Sequence, residues 1–554
     1  MSKKEKVYES VEEQENETGE IDPEPKEHRA ARLGRRVQDD YMVRGVSVGL
    51  ALIVVICALV DGDKFIAAVG VLRKYVTQYC SWWIILMTAL ALILCVVIAA
   101  SKYGKITLGG KDAKPAFSYF SWFAMLFATG QGVGLVFWGV AEPISHFVSP
   151  IAGVEPGTPE AAAFAMKSAF MHWGFQPWAN YAIIGLALAY FQFRKNRPGL
   201  ISTCLEPLIG EKGARGPIGK FVDILAIFAT IAGVVTSLGL GVMQINSGLN
   251  MMFGVPSNLL VQIVIVILVT IIVVASAVSG IEKGIKAISD INLYIAIFVL
   301  AACFIIGPKI DIVNNIVSGT GAYIQNIVID SLNLPAYGDN SWTLGWRIFY
   351  WAWFIAWAPF VGVFIARISK GRTIREFIGG VVVVPAVASI LWFGVFGSMG
   401  LSLGINGEVS MDTLASIAAA PETGLFTILP HYFGGFALCV VALVLLLTFF
   451  ITSANSGTFV LGMLSSDGDM NPTSAKKILW GAIQAAMAIG LLIAGGLKPV
   501  QTISIVAAAP FIIVMFAVMV SIVKALAKDP AVTGEVDQAE ESKAIEAEGA
   551  AETV

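Results

Sequence analysis

Ala128-Thr-Gly-Gln-Gly-Val-Gly-Leu-Val-Phe-Trp-Gly-Val-Ala-Glu-Pro143 sets three glycines, Gly130, Gly132 and Gly134, inside an apolar run over residues 116–140. As a helix, that run is long enough to cross about 30 Å of hydrocarbon. Each glycine weakens a helix by about 1 kcal/mol relative to alanine, and an apolar membrane helix gains nothing obvious from three. Glycines also let the backbone unwind and bare its N–H and C=O groups. Lipid penalises such groups unless a ligand or cavity satisfies them. Close helix packing through small residues is the competing explanation, and the segments described next weigh against it. The stretch predicts a membrane helix broken near its middle.

Composition carries the membrane reading to the whole chain. Of 554 residues, 56% are hydrophobic and 14% charged, with a mean hydropathy of +0.75; soluble domains carry about 25% charge. The charges gather at the ends. Residues 1–44 hold 12 acids and 9 bases, and residues 529–554 hold 8 acids against Lys543 alone. Between them lie twelve apolar runs: 45–60, 81–100, 116–140, 161–193, 218–246, 258–279, 287–307, 343–366, 377–401, 433–463, 477–496 and 501–525. The fold class is therefore an all-α polytopic membrane protein of twelve spans over 45–525. Acidic tails at 1–44 and 526–554, poor in aromatics, are expected to be disordered.

Lys and Arg favour the loops after even-numbered spans by about three to one, which places those loops in the cytoplasm. The run Arg29, Arg32, Arg35, Arg36 and Arg44 puts the N-terminus there, and an even span count returns the C-terminus to the same side. The expected location is the cell membrane. A net charge of −3 points to no nucleic-acid partner. The six cysteines fall singly in mostly apolar surroundings, so neither a disulfide framework nor a metal site is supported. Residues 310–332 place Ile310, Val313, Val317, Ile324 and Ile327 near helical spacing, as a helix at the membrane interface or packed on the bundle would.

Two further segments concentrate aromatic rings. In span 4, His172-Trp-Gly-Phe-Gln-Pro-Trp-Ala-Asn-Tyr181 puts Trp173, Trp178 and Tyr181 within less than half the circumference of a helix, with Pro177 to bend it. In span 8, Trp346, Tyr350, Trp353, Trp357 and Phe360 share an arc of about 80° at about 100° per residue, and Pro359 is available to interrupt that helix. Membrane tryptophans are commonly interface anchors, and aromatic stripes are commonly core. Ladders this dense are nonetheless costly to explain by packing when leucine would serve.

Two such clusters beside a broken helix suggest a cage for an organic cation, since each ring face attracts a quaternary ammonium by about 0.5–2 kcal/mol. No acidic residue lies within the ring-bearing stretches, so neutralisation by Asp or Glu is not the expected design. A zwitterion would suit: rings for the cation, and unwound N–H groups around Gly130, Gly132 and Gly134 for its carboxylate. In span 10, Phe449-Phe-Ile-Thr-Ser-Ala-Asn-Ser456 offers adjacent hydroxyls at Thr452 and Ser453, hard oxygen ligands of the kind Na⁺ takes. Intrahelical back-bonding is the plainer role for them. An enzyme would want a nucleophile paired with a base. His28, His146, His172 and His431 show no nearby carboxylate or cysteine in sequence, so catalysis is not expected. A channel would want a repeated pore-lining ring, and none is visible.

Trp351-Ala-Trp-Phe-Ile-Ala-Trp-Ala-Pro-Phe-Val-Gly-Val-Phe-Ile-Ala-Arg-Ile-Ser-Lys-Gly-Arg-Thr-Ile-Arg-Glu-Phe377 resembles the signature of the betaine/choline/carnitine transporter family almost continuously. The glycine segment, the Trp173/Trp178/Tyr181 box and Leu238-Gly-Leu-Gly241 agree with it. The resemblance covers the twelve-span body and not the tails. It implies a leucine-transporter-like inverted repeat, spans 3–7 and 8–12 after two preceding helices, with alternating access and usually a homotrimer. It implies that Trp173, Trp178, Tyr181, Trp353 and Trp357 bind the substrate. It also implies that the carbonyls of Ala128, Gln131 and Phe449, with the Thr452 and Ser453 hydroxyls, hold Na⁺.

The chain departs from the family pattern in places. Phe354 stands where a glycine betaine carrier has a further tryptophan. Thr230 matches one ligand of an additional sodium site, and Val234 replaces a second. Gly134 matches the position where choline-accepting members place an aspartate, so carboxylate-bearing betaines should be preferred to choline. The acidic tail at 529–554 departs from the basic C-terminal helix of the osmosensing member. The expected function is Na⁺-coupled import of a betaine, with sodium-independent exchange of carnitine-type substrates as the alternative.

Overall fold

Apolar runs separated by short polar loops must satisfy their own backbone groups within lipid, and helices do so segment by segment. The computed structural model describes residues 41–110, 113–130, 132–278 and 282–533, with backbone alone at 277–278 and 282–287. Among the described residues there are helices and no strand; one isolated antiparallel bridge joins Thr107 to Thr373. Most of the two expected tails, 1–40 and 534–554, lies outside the described residues.

The principal helices are α1 (Tyr41–Val60), α2 (Gly62–Ala100), α3 (Tyr119–Gly130), α4 (Gly132–Val148), α5 (Pro159–Trp173), α6 (Phe175–Ala189), α7 (Pro217–Phe253), α8 (Leu259–Val278), α9 (Glu282–Ile306), α10 (Lys309–Leu332), α11 (Ile348–Ile368), α12 (Val384–Ile405), α13 (Gly435–Leu464), α14 (Ser474–Ile493) and α15 (Leu497–Ala527). Local sequence sets several of the ends. The Asp61 carboxylate accepts from the Lys64 N–H at 3.0 Å, starting α2. Thr158 caps α5, with Pro159 next to it needing no N–H partner. Gly254, at φ +68°, closes α7 in the left-handed conformation.

Among the described residues, ten helices are individually long and apolar enough to cross a membrane. The third run is the pair α3 and α4, bent by 65° across position 131, so the break expected at the glycines is present. The fourth run also divides, into two 15-residue helices, each of about 22 Å. That break falls at Gly174 (ψ −137°), not at Pro177. Pro177 sits in the first turn of α6, where a backbone N–H would have no intrahelical partner, so the proline costs the helix nothing. Tyr323 of α10 supports the break. Its hydroxyl accepts from the Phe175 N–H at 2.9 Å and donates to the Gln176 side chain.

Pro359, by contrast, interrupts nothing: α11 runs through it unbroken. The helix is buried on all sides, packed against α6, α7 and α15. Loss of one backbone hydrogen bond is readily tolerated in that setting. The α10 helix shows which way its apolar stripe turns. Its expected apolar stripe faces away from the bundle, with Ile310 75% and Val317 67% exposed. Ile312, Gly319 and Tyr323 are buried instead.

The expected C-terminal tail also begins too early. α15 continues to Ala527, and a short turn, Pro530–Thr533, follows it. Buried Asp529 anchors this turn. It accepts two hydrogen bonds from Arg194, both 2.6 Å, and one from the Tyr190 hydroxyl at 2.7 Å. Burial alone would push the Asp529 carboxyl up, but these donors outweigh it and hold the group below its ordinary value.

Candidate functional site

The bend between α3 and α4 brings small residues against large rings. A Cβ on Gly130 would lie 2.5 Å from Trp178 Cη2, and one on Gly134 would lie 2.9 Å from Trp173 and 3.0 Å from Trp353. Gly132 faces span 10 instead, 3.2 Å from Ser453 Oγ and 3.4 Å from Phe449 Cβ by the same measure. The three glycines therefore serve close approach: two seat the indoles and one seats the Ser453 and Phe449 side chains of α13. The glycine at 233 on α7 does the same for Trp357, at 2.2 Å. Sequence reading passed over Gly233, because nothing local to α7 indicates a tryptophan over 120 residues away.

The rings named from α5, α6 and α11 do converge. Trp178 meets Tyr181 at 5.4 Å between centroids, Tyr181 meets Phe354 at 5.6 Å, and Phe354 meets Trp173 at 5.7 Å. Trp173 stands at 90° to Trp353 at 6.2 Å, and Trp353 is 6.2 Å from Trp357. All six rings are buried. Phe354 is thus a full member of the cage, joining the α5/α6 box to the α11 ladder. The indole N–H groups of Trp178, Trp353 and Trp357 meet no acceptor among the described residues.

The expectation that the histidines lack a carboxylate companion is overturned. Glu142 of α4, fully buried, reaches the cage from outside the ring-bearing stretches. Its Oε2 accepts from Trp173 Nε1 at 2.7 Å and from the Tyr350 hydroxyl at 2.5 Å. Its Oε1 lies 2.7 Å from His172 Nδ1 and 3.3 Å from His146 Nε2. The histidines at 146 and 172 therefore do have a carboxylate companion. The 30-residue separation of His172 hid one pair. The other was legible, since Glu142 and His146 stand four apart on one helix face.

These three ligand atoms lie within 4.8 Å of one another, a spacing a divalent ion could also use. A metal-bound histidine almost always donates its other ring N–H to a partner. Here His146 Nδ1 and His172 Nε2, both buried, have none. The group is better described as a carboxylate satisfied by four donors.

The proposed sodium ligands divide. Ala128 and Phe449 are buried near the bend, and Ser453 Oγ is buried with no partner. Gln131 lies outside the described residues. Thr452 follows the plainer role: its hydroxyl donates to the Thr448 carbonyl at 2.8 Å and accepts from Asn292 at 3.1 Å. Thr230 Oγ1 is also buried and unpartnered, while Val234 lies against Gly457.

Comparison with known proteins follows the same boundaries. A glycine betaine transporter of Bacillus subtilis (strain 168), OpuD, is 46% identical over 459 residues, covering 82% of this chain and 88% of that protein. A probable glycine betaine transporter of Desulfitobacterium hafniense (strain Y51) is 43% identical over 488 residues, 87% and 97% of the two chains. An ectoine/hydroxyectoine transporter of Virgibacillus pantothenticus is 41% identical over 486 residues, 87% and 96%. The model of the betaine/carnitine/choline family of transporters matches residues 42–531, from α1 through the turn anchored by Asp529, and the chain belongs to that family.

Proposed function

We propose that this chain is a secondary transporter that imports a quaternary-ammonium zwitterion, glycine betaine or a related betaine, by alternating access coupled to Na⁺. The observation that carries the reading is the six-ring cage. Its ring faces can hold an ammonium through their quadrupoles, while the Glu142 carboxylate beside it spends its lone pairs on four donors of the protein itself. Three free indole N–H groups and the backbone around the bend supply donors for the substrate carboxylate. Na⁺ would be held by the Ala128 and Phe449 carbonyls with the Ser453 and Thr452 hydroxyls; the Gln131 carbonyl completes the expected set. Held there, the ion would fasten span 3 at the α3/α4 bend to α13, beside the point where Gly132 packs on Phe449 and Ser453.

The architecture that goes with this reading is twelve spans, with the α3/α4 and α5/α6 pairs each counted as one. Spans 3–7 and 8–12 form inverted repeats, both termini are cytoplasmic, and the assembly is a homotrimer in the cell membrane. Such a protein has no need of a catalytic residue. Names carried by relatives make glycine betaine the first substrate to try and ectoine the first competitor.

A second reading, sodium-independent exchange of carnitine-type substrates, draws on one observation: the Thr452 hydroxyl already has both a donor and an acceptor partner. Uptake of labelled betaines, carnitine, ectoine and choline into proteoliposomes, with and without a Na⁺ gradient, separates the two. Coupled import predicts betaine accumulation only with the gradient. Full exchange in Na⁺-free buffer would establish the second reading instead.

A further inference from the structure

Three helices meet at Glu142: its own α4, which also carries His146; α5, which supplies His172 and Trp173; and α11, which supplies Tyr350. All five side chains are buried. Trp173 is gripped twice by α4. Its six-membered edge packs on Gly134, and its Nε1 is tied to Glu142. Between those two points the ring touches Trp353, Phe354, Tyr350 and Phe393, so its orientation sets one wall of the cage. A tryptophan that packed only by shape could rock about its side-chain torsions; a buried N–H bonded to a carboxylate cannot do so without leaving that N–H unpaired.

We propose that Glu142 is a positioning residue: it locks the Trp173 indole in the orientation that closes the cage, and it secures that lock through His172, His146 and Tyr350. The claim rests on the cage reading above. It concerns a residue that does not contact the substrate. Oε1 and Oε2 each already have two donors, so the carboxylate has no lone pair left for a hydrogen bond from a substrate. Two of those donors come from imidazoles, which fixes His172 as the Nδ1–H tautomer and His146 as the Nε2–H tautomer.

The test uses full-length purified protein with two readouts. The first is glycine betaine affinity by quenching of intrinsic fluorescence. The second is the indole N–H hydrogen-bond marker in ultraviolet resonance Raman difference spectra, which needs no substrate. Glu142→Leu should weaken binding by about tenfold in the wild-type background and by less than about threefold in a Trp173→Phe background, which has no N–H to hold. Glu142→Gln keeps one acceptor oxygen and should retain affinity within about threefold. It should still shift the Raman marker toward a weaker bond, and that shift should vanish in the Trp173→Phe background.

Equal losses in both backgrounds, or an unchanged marker in Glu142→Gln, would overturn the proposal. If Glu142→Leu does not fold, the Glu142→Gln marker decides alone. Wild-type protein that binds no quaternary amine would sink the cage reading, and the Raman comparison would still show whether Glu142 holds Trp173.

Discussion

Two aromatic clusters share Trp173 yet are built on opposite principles. The first surrounds Glu142: His172 stacks on Tyr350 at 4.8 Å, and His146 packs edge-on against Trp346 at 4.4 Å, every ring oriented about one carboxylate or its partners. The second, the cage, joins Trp178, Tyr181, Phe354, Trp353 and Trp357 to Trp173, and three of its indole N–H groups go unpaired. In the first, both carboxylate oxygens are fully engaged while His146 Nδ1 and His172 Nε2 stay unpartnered, and buried bonds to a carboxylate rigidify what they touch. The second has donors and ring faces to spare. The contrast separates the two clusters more clearly than burial does, since nearly every ring in both is buried, Trp346 being partly so.

The comparison can be broken by filling the space that the glycines leave. Gly134→Asp introduces a side chain where a Cβ already falls within 3.0 Å of two indoles. Overpacking of this kind costs about 1–3 kcal/mol, or roughly five- to 150-fold in betaine affinity. The new carboxylate should also shift the residual preference toward choline. A competition series of choline against glycine betaine checks both, and unchanged selectivity would detach Gly134 from substrate choice.

Removing a ring should cost less. Trp357→Leu keeps apolar bulk but loses the quadrupole, so affinity should fall by about 1–2 kcal/mol, roughly five- to thirtyfold. Trp346→Leu, in the network outside the cage, should change affinity by less than about threefold. Equal losses at the two positions would erase the distinction between the clusters.

At span 10 the expected effect falls on the ion. Thr452→Ala with Ser453→Ala should raise the half-saturating Na⁺ concentration by about tenfold, with Ser453 contributing more because its hydroxyl is free. By linkage, substrate should tighten Na⁺ by the same factor that Na⁺ tightens substrate. Na⁺-independent uptake by the unmodified protein would remove coupling altogether.

The smallest effect on transport is expected at the far end of the fold. Asp529→Asn should leave uptake unchanged while lowering Tm by a few degrees, on the order of 1 kcal/mol. Because the Asp529 carboxyl is held below its ordinary value, its stabilisation is present above about pH 4 and is lost as pH falls through the folded-state value. The Tm gap between wild type and Asp529→Asn should therefore close on acidification. A gap that is constant from pH 7 to pH 3 would assign the loss to packing.

What the sequence made visible was whatever repeats at helical spacing. Trp353 and Trp357 announce one face of α11, and the glycine cluster announces a break, because both are local properties of a helix. Partners across the bundle leave no such trace. Gly233 beneath Trp357, Phe354 as a link in the cage and Tyr323 supporting the break at Gly174 all join residues far apart in the chain. Proline was a weaker guide than its local chemistry suggests. Pro359 is carried by the neighbours of α11, and Pro177 yields the break to the glycine three residues before it.

The central claim is that the cage holds its ligand by cation–π attraction. Replacing the ammonium nitrogen of glycine betaine by carbon gives 3,3-dimethylbutanoate, which keeps the shape and the carboxylate and removes the positive charge. In competition with labelled glycine betaine on purified protein, the account predicts that this carbon isostere binds at least about thirtyfold more weakly, as the loss of two or more ring–cation contacts requires. Affinities within about threefold of each other would mean that shape and apolar burial, not ring quadrupoles, do the selecting, and would contradict it.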